Sequence, residues 1–197
     1  MHSERGFDRL VNFSDAVVAI AITLLVLPLV TEASNLSQES VGQFLRENSM
    51  QFFSFFLSFI IIGRFWLVHH QMFERLRDFN TSMLVWNLLW LLGIVFLAFP
   101  TELFATSGGD DVVTNALYIG TMLWITVALL GISLTAYRSP ELLKSGDSGD
   151  AHLSRGVAMV VLLVVALGVC LLWPMIGLYS LFALFFTRPI ERLLQRR

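Results

Sequence analysis

Several runs of apolar residues in this chain are long enough to cross a bilayer, and they restrict its possible folds more than any motif does. Of its 197 residues 56% are hydrophobic and 14% are charged, and the mean hydropathy is +0.72. A backbone in hydrocarbon must satisfy its own hydrogen bonds, which a helix does within a single segment. We therefore predict an all-α, polytopic membrane protein with one transmembrane domain over residues 1–197, and neither the composition nor the net charge of −2 suggests a nucleic-acid partner.

The apolar runs and the turn residues between them predict six transmembrane helices. Their predicted ranges are 12–31, 51–73, 83–104, 112–137, 157–173 and 175–187, the last of marginal length for an upright crossing. All Lys and Arg residues except Arg46 and Arg64 fall at the N-terminus, in the second and fourth links and in the tail. By the positive-inside rule both termini are cytoplasmic, which requires the sixth crossing, and we expect a multi-pass protein of the plasma membrane.

Two segments allow a different interpretation. A polar start followed by an apolar run is also typical of a cleaved signal peptide, but Asp15 at the head of the run and Pro28 near its end favour a retained helix. The link over residues 139–155 is rich in Ser, Gly and Asp, and we expect it to be a mobile loop.

The first apolar run has an acid at its leading end and a mixed stripe along one face. Ser14 and Asp15 precede a stretch, residues 16–30, in which Thr23 is the only polar side chain. A carboxylate there is costly in lipid and therefore suggests a function. At helical spacing one face carries Ala16, Ile20, Thr23, Leu27 and Val30, with Leu24 beside it. This stripe is the candidate functional surface. The alternative is that it only packs against other helices.

Polar residues from three predicted helices lie at similar depth near the cytoplasmic face. Asp15 on the first helix, His69 and His70 on the second, and Asn87 on the third are each a few residues from the same end, with Trp66 one turn deeper. Such groups need partners because lipid offers none. We favour a hydrogen-bond network that fixes helix packing over direct participation in transport.

Catalysis and metal binding are poorly supported. Ser14, Asp15 and a histidine supply the residue types of an intramembrane hydrolase, but Ser14 and Asp15 point about 100° apart on a helix and no GxSxG elbow exists. Adjacent histidines also diverge on a helix, and no HExxH pair is present, so we predict no metal site, no cofactor and no enzymatic activity. Cys170 is the only cysteine and has no disulfide partner within the chain.

Three segments resemble one known family. RLVNFSDAVVAIAITLLVLPL resembles the RxxxFSD signature and first helix of bacterial homologues of the endosomal and lysosomal potassium channel, transmembrane protein 175. FWLVHHQMF and NLLWLLGIVFLAFPTELF are similar to segments of that family's second and third helices, whereas the last three helices match by hydropathy alone. The resemblance implies a six-helix subunit in a homotetramer, in which four first helices line a pore that prefers potassium.

The resemblance also implies roles for individual residues. The pore-lining positions become Ile20, Thr23, Leu24 and Leu27, which belong to the stripe. The positions of a polar network that holds the pore helices become Arg9, Ser14, Asp15, Trp66, His69, His70 and Asn87. Arg64 and the basic tail receive no role from the resemblance.

A pore of this kind would select ions without a TVGYG carbonyl filter. We expect apolar constrictions at Ile20 and Leu27, a ring of Thr23 hydroxyls between them that contacts permeating potassium, and a helix bend or a free Leu24 carbonyl caused by Pro28. Two alternatives stay open: a small transporter that relays protons through Asp15 and His69 or His70, and a membrane assembly factor without flux.

Overall fold

The chain's structure, a computed structural model, describes residues 4–34, 40–109, 111–144 and 150–172. These ranges contain eight α-helices and one short 3-10 helix at Pro140–Leu142. The α-helices are α1 (Glu4–Leu24), α2 (Leu27–Ser34), α3 (Val41–Glu47), α4 (Ser49–Phe73), α5 (Thr81–Phe96), α6 (Ala98–Ser107), α7 (Val112–Arg138) and α8 (Asp150–Leu172).

Five helical spans in the described ranges are long and apolar enough to cross a membrane: Arg5–Ser34, Ser49–Phe73, Thr81–Ser107, Val112–Arg138 and Leu153–Leu172. They coincide with the first five predicted helices to within a few residues, except that the first begins earlier, because the polar residues before Asn12 continue the same helix. The predicted all-α, polytopic membrane fold is confirmed. The sixth predicted helix, 175–187, and the basic tail lie outside the described residues.

Prolines interrupt two of these spans. Pro28 has no N–H for the carbonyl of Leu24, and the preceding turn is tightened: the amides of Leu25 and Val26 donate to carbonyls three residues back, at 3.3 and 3.4 Å. This turn separates α1 from α2. The third span is divided at Leu97 into α5 and α6, three residues before Pro100.

Helix α7 is the most buried span, and it packs against both α5 and α8. Close approach to α5 depends on Gly131, where a Cβ would overlap the indole of Trp86. Helix α1 packs against α4 and α5. The first span therefore has a side that contacts the bundle and a side that does not.

The mobile loop predicted over residues 139–155 is wrong at both of its ends, and residues 145–149 lie outside the described residues. Residues 140–144 are ordered against the second link, where Leu76 and Leu143 form an antiparallel bridge. Backbone bonds of 2.9 Å join the Arg77 amide to the Leu142 carbonyl and the Lys144 amide to the Arg75 carbonyl. Leu142 and Leu143 are both buried, and this apolar pair outweighs the polar composition that suggested a loop. Helix α8 begins at Asp150, inside the range predicted as loop.

Candidate pore helix and its polar anchor

Helix α1 and the start of α2 bury one face against the bundle. Residues at spacings of three and four are buried, and they are Leu10, Ser14, Val18, Ala21, Leu25 and Leu29. Ser14 is the polar member of this set and is fully buried. A buried hydroxyl requires hydrogen-bond partners, so the structure around Ser14 decides how α1 is held.

Ser14, Asn87 and His69 form a continuous hydrogen-bonded chain across α1, α5 and α4, which we call the polar anchor. The Ser14 hydroxyl donates to the Leu10 carbonyl at 2.9 Å, so its oxygen accepts from Asn87 Nδ2 at 2.9 Å. Asn87 Oδ1 lies 2.8 Å from His69 Nε2. Because the amide oxygen can only accept, His69 Nε2 carries a hydrogen and donates it. Each of the three hydrogen bonds therefore joins a donor to an acceptor.

The His69 ring is fixed by aromatic neighbours as well as by Asn87. Its ring is nearly parallel to that of Trp90, with centroids 3.9 Å apart, and it stacks on Phe73 at 4.2 Å. His69 is 1% exposed, and Asn87 is fully buried. Tight packing restricts rotation of the imidazole, so the donor nitrogen stays directed at Asn87.

Asp15 reaches α4 through a second contact. Trp66 Nε1 donates to Asp15 Oδ1 at 2.8 Å, and the indole stacks on His70 with centroids 5.3 Å apart. His70 in turn lies 3.4 Å from Glu74. The carboxylate that suggested a function from the sequence thus accepts from a tryptophan N–H.

The structure brings six of the seven predicted network residues into these two contacts, and Arg9 into neither. Arg9 is exposed at the basic end of α1. Arg64 is half-buried on α4, two residues before Trp66. Arg9 joins neither contact because it is not on the face of α1 that Leu10 and Ser14 share.

The predicted pore positions lie on a side of the first span that faces away from the bundle. Ile20 is 59% exposed, Leu24 42% and Leu27 52%. Thr23 is also exposed, and its hydroxyl donates to the Ile20 carbonyl at 2.8 Å. The hydroxyl hydrogen is therefore used within the helix, and the lone pairs of the oxygen are left for other partners.

The structure also contains a second buried polar cluster, in the other half of α4, which the sequence analysis did not predict. Ser58 Oγ lies 2.8 Å from Thr101 Oγ1 and 2.9 Å from the Tyr118 hydroxyl, which joins α4, α6 and α7. Thr101 donates to the Leu97 carbonyl at 2.7 Å. The available signal was Ser58 in the middle of an apolar run, since an isolated hydroxyl there needs a partner on another helix.

The geometry does not resemble a hydrolase or a metal centre. Asn87 stands between His69 and Ser14, so the imidazole cannot take the serine proton directly. Within the described ranges, no group of three or more His, Cys, Asp or Glu side chains is arranged to hold a metal ion. The described side chains instead join helices.

The sequence profile of the family described as endosomal/lysosomal potassium channel TMEM175 matches residues 9–98 of this chain. That range contains most of α1 and all of α4 and α5, and with them every residue of the polar anchor. Over these residues, which are fewer than half of its 197, the chain is similar to the TMEM175 family.

Individual relatives extend the TMEM175 match beyond that range. A potassium channel of Chamaesiphon minutus is 29% identical over 196 residues, covering 94% of each chain. A potassium channel of a Chryseobacterium strain is 36% identical over 100 residues, which cover 50% of this chain and 49% of that one. The rat endosomal/lysosomal proton channel TMEM175 is 31% identical over 121 residues, which cover 56% of this chain and 24% of its own length.

Solved structures support the same TMEM175 fold. The crystal structure of a lysosomal potassium-selective channel TMEM175 homologue from Chamaesiphon minutus superposes with a TM-score of 0.77. It is 25% identical and covers 95% of this chain and 98% of its own. A variant of the potassium channel MtTMEM175, solved in complex with a nanobody fusion protein, superposes with a TM-score of 0.69 at 20% identity. The match covers 95% of this chain and 91% of that one, and it shows likeness of fold.

Proposed function

We propose that this chain is a member of the TMEM175 family and a potassium channel of the plasma membrane, with a pore formed by the first spans of four identical subunits. One observation carries the proposal: the Ile20–Leu27 stripe is exposed on the side of the first span that faces away from the bundle, while the polar anchor fixes the opposite side. Relatives named potassium channel supply the permeant ion. The proposal includes no cofactor.

Around a fourfold axis the stripe would give rings of different chemistry. Ile20 and Leu27 would form apolar constrictions that oppose ion passage when they are narrow enough to lose their water. Between them, Thr23 would present its oxygen lone pairs, because its hydrogen is already bonded to the Ile20 carbonyl. Such a ring can replace part of the hydration shell of potassium.

The turn between α1 and α2 lies beside Leu27, within the proposed pore segment. Pro28 leaves the Leu24 carbonyl without its usual amide donor. Leu24 is itself partly exposed on the stripe side. A change in the angle between α1 and α2 would alter the width of the Leu27 ring relative to the Ile20 ring.

The contacts of Asp15 and His69 disfavour the alternative of a proton-coupled transporter. Asn87 separates His69 from Ser14, and an amide neither gains nor loses protons readily. The hydrogen-bonded chain ends at the Leu10 carbonyl, which has no proton to pass on. Asp15 bonds to Trp66, whose indole N–H is a donor only. These contacts suit a structural role better than a proton relay.

Potassium flux into liposomes containing the purified chain tests the proposal. Ile20→Ala or Leu27→Ala is expected to raise the flux, because the constriction widens. Leu92→Ala on α5 is a matched control, since Leu92 is 53% exposed and Leu27 52%. No flux from the unsubstituted chain, or an equal effect of Leu92→Ala, would refute the pore assignment.

Two further variants separate selectivity from assembly. Thr23→Ala is expected to reduce the preference for potassium over sodium, measured as a shift in reversal potential in planar bilayers. Asp15→Ala should reduce the tetrameric fraction on size-exclusion chromatography more than it alters selectivity, because it removes the Trp66 contact that positions α1. An intact tetramer with altered ion preference would contradict the role given to Asp15. Single-channel current steps distinguish a channel from a transporter or an assembly factor.

A further inference from the structure

An open cleft of about 300 Å³ lies beside the basic end of α1 and belongs to neither the stripe nor the polar anchor. Its lining comes from α1, from the end of α4 and from Lys144, and comprises Phe7, Asp8, Val11, Asn12, His70, Phe73, Glu74 and Lys144. Its volume is at the lower end of the range for small-molecule sites. The cleft combines an apolar floor with charges of both signs.

One charge in the cleft, the Lys144 ammonium, is held in a defined place. Lys144 Nζ donates to the Glu74 carbonyl at 2.6 Å, and its backbone amide pairs with Arg75, so the ammonium is fixed over the end of α4. An ammonium has three donors, and this bond uses one of them. Asp8 on α1 and Glu74, the residue that follows α4, are exposed carboxylates beside the cleft. One cationic and two anionic groups thus surround the same opening.

The apolar part of the lining is aromatic. Phe7 stacks on Phe73 with ring centroids 6.0 Å apart and an interplanar angle of 16°. Phe73 is buried, and Phe7 and Val11 are half-buried. Phe73 is the last residue of a span long enough to cross the membrane. We therefore expect the cleft to lie where the hydrocarbon meets the headgroup layer. A ligand of matching chemistry has an apolar stem, a phosphate and a primary amine.

We propose that this cleft binds the headgroup of an ethanolamine phospholipid. The phosphate would accept from Lys144, the ammonium would donate to Asp8 and Glu74, and the first acyl carbons would lie along Phe7 and Val11. Charge-assisted hydrogen bonds of this kind are roughly twice as strong as neutral ones. A choline headgroup has no N–H and cannot donate hydrogen bonds to the carboxylates.

Because residues of α1 line the cleft, its occupant would contact the first span without entering the proposed pore. Asp8, Asn12 and Asp15 are four and three residues apart and lie along one side of α1, before the first residue of the stripe, Ala16. His70 lines the cleft and stacks on Trp66, which donates to Asp15. A bound headgroup would therefore brace the contact between α1 and α4.

Native mass spectrometry of the full chain, released from detergent in an equimolar mixture of ethanolamine and choline phospholipids, tests the site. The unsubstituted chain is expected to retain the ethanolamine lipid preferentially. Asp8→Asn should reduce that retention about tenfold and leave choline lipid unchanged, whereas Lys144→Gln should weaken both. Glu141→Gln removes an exposed acid outside the cleft and should change neither.

Several results would overturn the proposal. These are equal retention of the two lipids, an Asp8→Asn variant that behaves like the unsubstituted chain, or a loss of the same size in Glu141→Gln. Retention of neither lipid by the unsubstituted chain would also overturn it, because the cleft would then bind no headgroup. None of these readouts depends on ion conduction, so the lipid site can fail while the proposed channel function stands.

Discussion

Breaking the polar anchor at Asn87 should destabilise the fold by an amount that can be worked out from its bonds. Asn87→Leu keeps a side chain of similar size and removes both the bond to Ser14 and the bond from His69. Interhelical hydrogen bonds in membranes contribute about 0.6 kcal/mol on average and up to about 1.7. A buried donor left without a partner, here His69 Nε2, costs about 1–3 kcal/mol. The two costs overlap, so we expect a loss of about 2–3 kcal/mol.

A double-mutant cycle with Ser14→Ala tests whether these residues act as one chain. Ser14→Ala alone should cost about 1–2 kcal/mol, because it leaves the Asn87 amide without its acceptor. With Asn87→Leu already present, Ser14→Ala has no such bond left to break. The double variant should therefore fall short of the sum of the single variants by about 1 kcal/mol.

Equilibrium unfolding in mixed micelles measures the three free energies. The control cycle pairs Asn87→Leu with Ser58→Ala, which removes a member of the other buried cluster. Ser58 is eleven residues from His69 on α4, about 16 Å along the helix, so these two changes should be additive. A shortfall below about 0.5 kcal/mol for Ser14 with Asn87, or an equal shortfall in the control, would refute the hydrogen-bonded chain.

Two further substitutions test the packing of α7 and its first turn. Gly131→Ala should lower the free energy of unfolding by about 1–3 kcal/mol, because the new methyl overlaps the Trp86 indole. Gly120→Ala is the control: a Cβ there has no atom within 4 Å, so the change should be neutral or slightly stabilising. Equal effects of the two changes in the unfolding assay would contradict the close approach of α7 to Trp86. Asp111 caps α7 by accepting from the hydroxyl of Thr114 at 2.6 Å and from its amide at 2.8 Å, and these bonds lower the pKa of the Asp111 carboxyl from 3.8. A lowered pKa means that the cap's contribution is present above pH 3.8 and is lost as the pH falls through the folded value, so Asp111→Asn should flatten this part of the melting-temperature profile against pH. An unchanged profile in Asp111→Asn would contradict the cap.

Patterns of local chemistry made much of the fold predictable. Apolar length alone located the described membrane spans, because a helix must match the bilayer in length whatever it packs against. Helical spacing likewise separated Ser14 from the Ile20–Leu27 stripe before any contact was known. The link after α7 could not be predicted in this way, since the burial of Leu142 and Leu143 depends on a second link that is distant in sequence.

Within the candidate site, depth was predictable and bonding was not. Counting residues from the helix ends placed Asp15, His69 and Asn87 in one layer. Their partners depend on how α1, α4 and α5 are rotated about their axes, which side-chain packing sets. The same rotation leaves Arg9 exposed and outside the network of bonds, although it shares a sequence motif with Ser14 and Asp15.

Hydropathy and charge already specify an all-helical membrane protein with basic links on one side, because they act on each segment separately. Packing between the helices sets which nitrogen of His69 donates, which side of the first span is left exposed, and which links join at the basic end. Those outcomes depend on contacts between segments far apart in the chain. Hydrogen bonds and close packing choose one arrangement among many that satisfy the same hydropathy pattern.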